Sequence, residues 1–294
     1  MAAVDTQVSE AITRKSASNL ALAFVLLPPE KRRGMSALYA FCREIDDIAD
    51  DEGIPVDQRR VQLQAWREDI ALACNGQEPT FSVNRELRPF IAETRMPYSL
   101  FDELIKGVEM DLDIRRYETM DELDCYCFRV ASVVGLLSIE IFGYKNDQCR
   151  DYAIHLGKAL QLTNILRDVR NDAERGRIYL PRVDLARFGV TENEILENHY
   201  TEKYFQLAKH IASVARDHYA RARSALPAED RRSMATAELM GSVYWRLLQK
   251  LEKRRFNVFA HGETRLTKAQ KIFLILRMWY RVWRGNLLPN YGVG

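Results

Sequence analysis

Gln161-Leu-Thr-Asn164-Ile-Leu-Arg167-Asp168-Val-Arg-Asn-Asp172 carries two patterns at once. Gln161, Asn164, Asp168 and Asp172 stand at offsets of zero, three, seven and eleven. At roughly 100° per residue, these four side chains share one narrow face of an α-helix. Leu162, Ile165, Leu166 and Val169 fall on a different, apolar arc. The segment therefore reads as a helix that needs an apolar environment with a polar line beside it.

Outward from this helix the same spacing continues. Apolar residues recur three and four apart through 61–74, 101–112, 126–142, 152–169, 204–226 and 240–256. Strand-like alternation is nearly absent. Breakers separate the helical stretches, among them Pro55, Gly76, Pro97, Gly143, Gly176, Pro181, Gly189, Pro227 and Gly262. About ten helices with short loops and no long linker imply one all-α domain over residues 1–294, with 1–15 as a flexible N-terminus. The longest irregular stretch is expected at 176–189.

A second acidic stretch matches the first in design. Tyr39-Ala-Phe-Cys-Arg43-Glu-Ile-Asp46-Asp47-Ile-Ala-Asp50-Asp51 places Tyr39, Arg43, Asp46 and Asp50 at offsets of zero, four, seven and eleven. Asp46 with Asp50, and Asp168 with Asp172, are each four apart, so their Cβ atoms lie roughly 5–6 Å from one another on a helix. One such pair is ordinarily a solvated charged face. Two pairs about 120 residues apart, each prolonged by hydrogen-bonding residues along its face, point instead to a shared ligand. Mg²⁺ commonly bridges one or two carboxylates to substrate phosphates. The pattern thus implies a diphosphate held through metal ions between two facing helices.

Bulk properties narrow the alternatives. The chain has 294 residues, 47% hydrophobic and 29% charged, which suits a globular protein. A net charge of +2 with no long basic run gives no reason to expect a nucleic-acid partner. Cys42, Cys74, Cys125, Cys127 and Cys149 are odd in number and are expected to be reduced, buried thiols. No signal peptide is evident, and the longest apolar run, 20–27, is too short to span a bilayer. A cytoplasmic location, with peripheral contact to a membrane surface as an option, is the expectation.

The residues around these stripes resemble the squalene/phytoene synthase family. The likeness rests on ALYAFCREIDDIADDEG, on YCFRVASVVGLLSIEIFGY from Tyr126, and on QLTNILRDVRNDAERGRIYLP from Gln161. GVEMDL at 107–112, together with RVASVVGLLSIEIFGY, is most similar to bacterial presqualene diphosphate synthases of hopanoid pathways. The resemblance implies an isoprenoid-synthase helical bundle around a central cavity. It implies Asp46, Asp50, Asp168 and Asp172 as Mg²⁺ ligands, with Tyr39 and Arg43 in the catalytic set. Gln161, Asn164, Arg167, Arg177 and Tyr179 would line the diphosphate site, though Arg167 could equally pair with a neighbouring Asp. Arginine suits phosphate because its planar fork keeps its charge.

Phe24, Tyr126, Val130, Val134 and Leu137, with Ala131 and Gly135 as small gaps, would be plain core on pattern alone. The resemblance makes this wall the boundary of the prenyl tails, and it adds Tyr244 to the substrate-binding residues. A carbocation formed there must be kept from water. The chain departs from the family pattern at Ser16–Asn19, Leu20, Ser132, Arg170 and Asn171. The charge beside Asp172 shifts positive, and Arg170 is a candidate to hold the second diphosphate.

No Gly-rich nucleotide loop follows a strand, which bears little on NADPH. It is the resemblance to presqualene diphosphate synthases, which stop at the cyclopropyl diphosphate, that implies NADPH is not a cofactor. His155, His199, His210, His218 and His261 show no metal-ligand spacing. KIFLILRMWYRVWRGNLLPNY mixes Trp279, Tyr280 and Trp283 with Lys271, Arg277, Arg281 and Arg284. It reads first as a last core helix with a basic exposed side; the alternative is a surface that touches anionic lipid. The expected reaction is Mg²⁺-dependent head-to-head condensation of two farnesyl diphosphates to presqualene diphosphate. Its rivals are a phytoene synthase acting on geranylgeranyl diphosphate, a squalene or dehydrosqualene synthase, a prenyl diphosphate phosphatase, and a non-enzymatic helical lipid-binding or assembly factor.

Overall fold

The computed structural model describes residues 6–15, 23–94, 96–260, 264–285 and 287–292. Ser16–Asn19, Leu20, Gly262 and His261 lie outside them. The helices in chain order are α1 (Thr6–Lys15), α2 (Pro29–Asp50), α3 (Val56–Cys74), α4 (Ser82–Glu93), α5 (Tyr98–Asp113), α6 (Met120–Cys127), α7 (Val133–Phe142), α8 (Gln148–Glu174), α9 (Arg182–Phe188), α10 (Glu192–Leu196), α11 (Glu202–Ala225), α12 (Ala235–Lys253) and α13 (Lys268–Trp283). A π turn, Phe128–Ser132, joins α6 to α7, and a 3-10 turn, Phe24–Leu26, precedes α2. Among the described residues there is no strand, only an isolated parallel bridge between Arg116 and Ile178. The all-α expectation holds.

Local chemistry sets the helix ends. Pro29 opens α2, where its fixed φ and missing N–H cost nothing. Thr191 with Glu194 and Thr267 with Gln270 form capping boxes at α10 and α13. Gly189 takes φ 66° after α9, a left-handed conformation that suits glycine.

The central helix is α8. It buries Leu156, Leu162, Ile165, Leu166 and Val169, packs along α11, and meets α7, α12 and the π turn. α2 and α5 close the other side by packing on each other and on α7. Glycines permit the closest contacts. A Cβ on Gly157 of α8 would sit 2.6 Å from Ser132 Cα, and one on Gly107 of α5 would sit 2.7 Å from Arg129 Cβ. The π turn is thus clasped between two helices.

Several expectations change. Residues 6–15, read as a flexible N-terminus, form α1, which buries Ser9 and Thr13 and packs on α2 and α4. The stretch 176–189 is only half irregular, because Pro181 starts α9. The apolar run 126–142 is not one uniform α-helix: Phe128–Ser132 contains the π turn, and no breaker in the sequence marks it. Met120–Phe142 is the one segment among the described residues long and apolar enough to cross a membrane, and 56% of its most apolar window is buried inside the protein. Gly135 is not an open gap, since a Cβ there would lie 3.0 Å from the Ala153 carbonyl. Cys125 is exposed rather than buried, and Cys42 and Cys74 are half-buried. The exposed side of α13 is apolar, with Phe273, Leu276, Trp279 and Trp283 all turned to solvent.

Candidate active site

Six segments converge on a cavity of about 400 Å³. α2 contributes Arg43, Asp46 and Asp50, and α8 contributes Gln161, Asn164, Arg167, Asp168 and Asp172. α5 adds Val108 and Asp111, and Tyr126 and Val130 come from α6 and the π turn. Arg175, Arg177 and Tyr179 come from the chain just after α8.

That last group owes its place to one turn. Gly176 adopts φ 69°, and the amide of Arg177 donates to the Asp172 carbonyl at 2.8 Å, which folds the chain back over the end of α8. The Ile178 amide then donates to the Arg115 carbonyl at 3.0 Å. This fixes the residues on either side of it: buried Arg177 donates to Asp50 Oδ1 at 3.2 Å, and Tyr179 donates to Asp111 Oδ1 at 2.7 Å.

The acids outnumber the cations near them. Asp46 faces the cavity, ringed by protein, and its carboxyl is pushed up to about 7, first by burial and then by Asp50 and Asp111. Asp172 is likewise pushed up to about 7 by burial and by Asp168. Asp46 is nonetheless open to water in the cavity, so screening reduces the energetic weight of its shift. Asp50 pairs with Arg175 and Arg177, each at 3.2 Å. Asp168 is gripped by Arg167 at 2.8 and 2.5 Å, so the pairing read for Arg167 from the sequence is present. Arg43 reaches Asp47 at 2.5 Å.

Beside the acids lies a tyrosine stack. Tyr126 and Tyr179 sit 5.1 Å apart between centroids, with Tyr117 at 5.5 and 5.8 Å from them. Tyr126 donates to Asp111 Oδ2 at 2.9 Å. Burial raises the Asp111 carboxyl above its usual range, while both hydroxyls and Arg177 oppose the rise.

The donor set suits a hard divalent cation bound jointly with a ligand. Among the described residues no three acids or histidines are grouped closely enough to hold a metal unaided. Buried Asn164 Oδ1, an acceptor on the cavity wall, has no donor. Carboxylates raised by burial and by mutual repulsion, together with an unmatched oxygen, are what an added cation would relieve.

Some expected residues lie elsewhere. Phe24, Tyr39, Val134 and Tyr244 do not line this cavity. Phe24 is buried edge-on to Tyr39 at 6.4 Å, and Val134 and Tyr244 pack half-buried against the core. Arg170 turns away to Glu174 at 3.0 Å and the Phe259 carbonyl at 3.2 Å, so it is not a cavity cation. Arg175 takes that place, and Asp111 joins the acids; neither was singled out from the sequence. Asp111 shares a face with buried Leu104 and Val108. An acid on an apolar stripe was the signal that could have revealed it.

A sequence model of the squalene/phytoene synthase family matches residues 13–270. The chain is 36% identical over 263 residues to a presqualene diphosphate synthase of Rhodopseudomonas palustris, covering 88% of this chain and 92% of that one. It is 37% identical over 246 residues to a phytoene synthase of Mycobacterium tuberculosis, covering 82% and 80%. The crystal structure of a dehydrosqualene synthase superposes with a TM-score of 0.84 at 28% identity, covering 95% of this chain and 97% of that one. With a fold, a family match and relatives that agree along most of its length, the chain belongs to the squalene/phytoene synthase family and is a prenyltransferase.

Proposed function

We propose that this protein condenses two farnesyl diphosphates head to head into presqualene diphosphate. The observation that carries the reading is the convergence of Asp46, Asp50, Asp168 and Asp172 with Arg43, Arg167, Arg175 and Arg177 on one cavity beside Tyr126 and Val130. Similarity to a presqualene diphosphate synthase supports the choice of product.

The four Asp side chains would hold Mg²⁺, which when bound supplies positive charge to the departing diphosphate. The arginines grip phosphate oxygens and fix the orientation of the diphosphate. The C1–O bond of one substrate breaks and its electron pair leaves with diphosphate. C1 then bonds to C2 of the second substrate, and loss of a proton from that C1 closes a cyclopropane onto C3. One diphosphate and one proton are released, and the second diphosphate stays on the product. Val108, Val130 and Ile165 supply the apolar part of the cavity wall, where a cation would be shielded from water.

A second reading, phytoene synthesis from geranylgeranyl diphosphate, is favoured by the equally similar phytoene synthase. Purified protein should be incubated with Mg²⁺ and either substrate, with and without NADPH, and the dephosphorylated products identified by mass spectrometry. Presqualene alcohol from farnesyl diphosphate, unchanged by NADPH, is the expected result. A much higher kcat/KM with geranylgeranyl diphosphate would replace this proposal with the second reading. Squalene formed only with NADPH would assign a different end product.

A further inference from the structure

α13 is apolar on the wrong side for a core helix. Ile272, Phe273, Leu276, Trp279, Tyr280 and Trp283 are all exposed, Phe273 at 63% and Trp283 at 79%. At roughly 100° per residue they occupy one arc of about 120°. Leu274 and Met278, on the opposite side, are buried against α12. On the same helical wheel, exposed Arg277 and Arg284 border one edge of the outward arc and exposed Lys268 borders the other. From Thr264 through Gly292 the chain carries six Lys or Arg residues and no acid, although its net charge is only +2.

We propose that the outward face of α13 docks on an anionic lipid bilayer, with the helix lying in the plane of the surface. An apolar arc bordered on both edges by cations with long, flexible stems is the arrangement that buries rings among acyl chains and leaves charge at the headgroups. At about 1.5 Å per residue the 16-residue helix is about 24 Å long, and its flanking charges keep it from spanning. A neighbouring cavity of about 1210 Å³, walled by Leu27, Phe142, Trp279 and Trp283, continues the apolar face. Exposed Lys145 and Arg232 stand on its rim with one exposed acid, Glu229. A second copy of the chain fits less well. An antiparallel two-fold contact through α13 would set the Arg277–Arg284 edge against the same edge of the second copy, with no acid in 264–292 to receive it. The docking holds for any prenyl diphosphate substrate, so its failure would leave the proposed reaction standing.

The test is sedimentation of the full chain with vesicles of phosphatidylcholine, alone or with a quarter phosphatidylglycerol. The protein should partition onto the anionic vesicles, remain free of the neutral ones, and be released by high salt. Trp66 and Trp245 are buried at 8% and 7% exposure, so a blue shift of fluorescence on adding anionic vesicles reports Trp279 and Trp283 entering lipid. Arg277→Glu with Arg284→Glu should lower partitioning at least about tenfold while turnover of dispersed substrate is kept. Trp279→Ser with Trp283→Ser should abolish the blue shift. Equal partitioning onto neutral vesicles, or none onto either, would overturn the proposal. So would a lipid-free dimer that the tryptophan variant converts to monomer, which would assign the face to a second copy.

Discussion

Tyr179 donates its hydroxyl to Oδ1 of Asp111 at 2.7 Å and so ties the chain after α8 to the last turn of α5. Tyr126 occupies the other oxygen, so one carboxylate holds two stacked rings at the edge of the cavity. Asp111→Ala leaves both hydroxyls without their acceptor. It is expected to destabilise the protein by about 1–3 kcal/mol and to lower kcat by roughly 10–100-fold through lost orientation. Asp111→Asn keeps one acceptor and should retain most of the stability. Urea denaturation and turnover of both variants check this; wild-type turnover in Asp111→Ala would remove Asp111 from the site.

Asp46 and Asp172 carry a cost to the metal-free protein. Their carboxyls are pushed up to about 7 by burial and by neighbouring acids, so each opposes folding as it ionises. The folded state holds the proton more tightly than the unfolded one, and the cost therefore grows as pH rises from about 4 towards 7. Asp46→Asn and Asp172→Asn should lose turnover while gaining about 1 kcal/mol of stability at neutral pH in chelator, after allowance for water in the cavity. A lower melting temperature in both variants would show that these acids support the fold instead.

Away from the cavity, Glu238 is 1% exposed and accepts hydrogen bonds from Tyr152 at 2.9 Å and from Tyr291. Burial pushes it from 4.5 to about 7 in spite of both donors. The sign is that of a raised acid: its stabilising contribution is complete below pH 4.5, declines as pH rises to about 7, and is then lost. The difference amounts to about 3 kcal/mol. Glu238→Gln should flatten this part of the stability–pH curve, measured by denaturation between pH 4.5 and 8. An unchanged slope would mean that Glu238 stays ionised throughout.

Gly157→Ala should destabilise by about 1–3 kcal/mol, because its new Cβ would meet Ser132 Cα at 2.6 Å and neither backbone has room to yield. Turnover should fall as well, since Ser132 ends the π turn that carries Val130. Wild-type stability would show that the two helices separate easily there.

The helical fold and both Asp pairs were legible because their information is local. Residues four apart on a helix share a face whatever else the chain does, so Asp46 and Asp50 could be paired without knowing their surroundings. Asp111 could not, because its partners Tyr126 and Tyr179 lie 15 and 68 residues away and only the fold brings them in. Arg170 and Arg175 exchanged places for a similar reason. Both are basic and close to Asp172, but the helix points Arg170 at Glu174 and Phe259, whereas the end of the helix releases Arg175 towards Asp50. The π turn was silent because Phe128-Arg-Val-Ala-Ser132 contains no residue that breaks a helix, and the glycines pressed against it, Gly107 and Gly157, lie far away in the chain.

That clasp restricts how this lineage can change its substrate. Gly107 and Gly157 fix the backbone of residues 129–132 from two sides, so inserting or deleting a residue there would shift every later side chain of α7 and break both contacts. Divergence in the length of the accepted tail must therefore proceed by exchange of individual side chains along this wall, with Val130 the first position open to it. In a collection of laboratory variants selected on longer or shorter substrates, replacements should accumulate at this wall and changes in chain length should be purged from it.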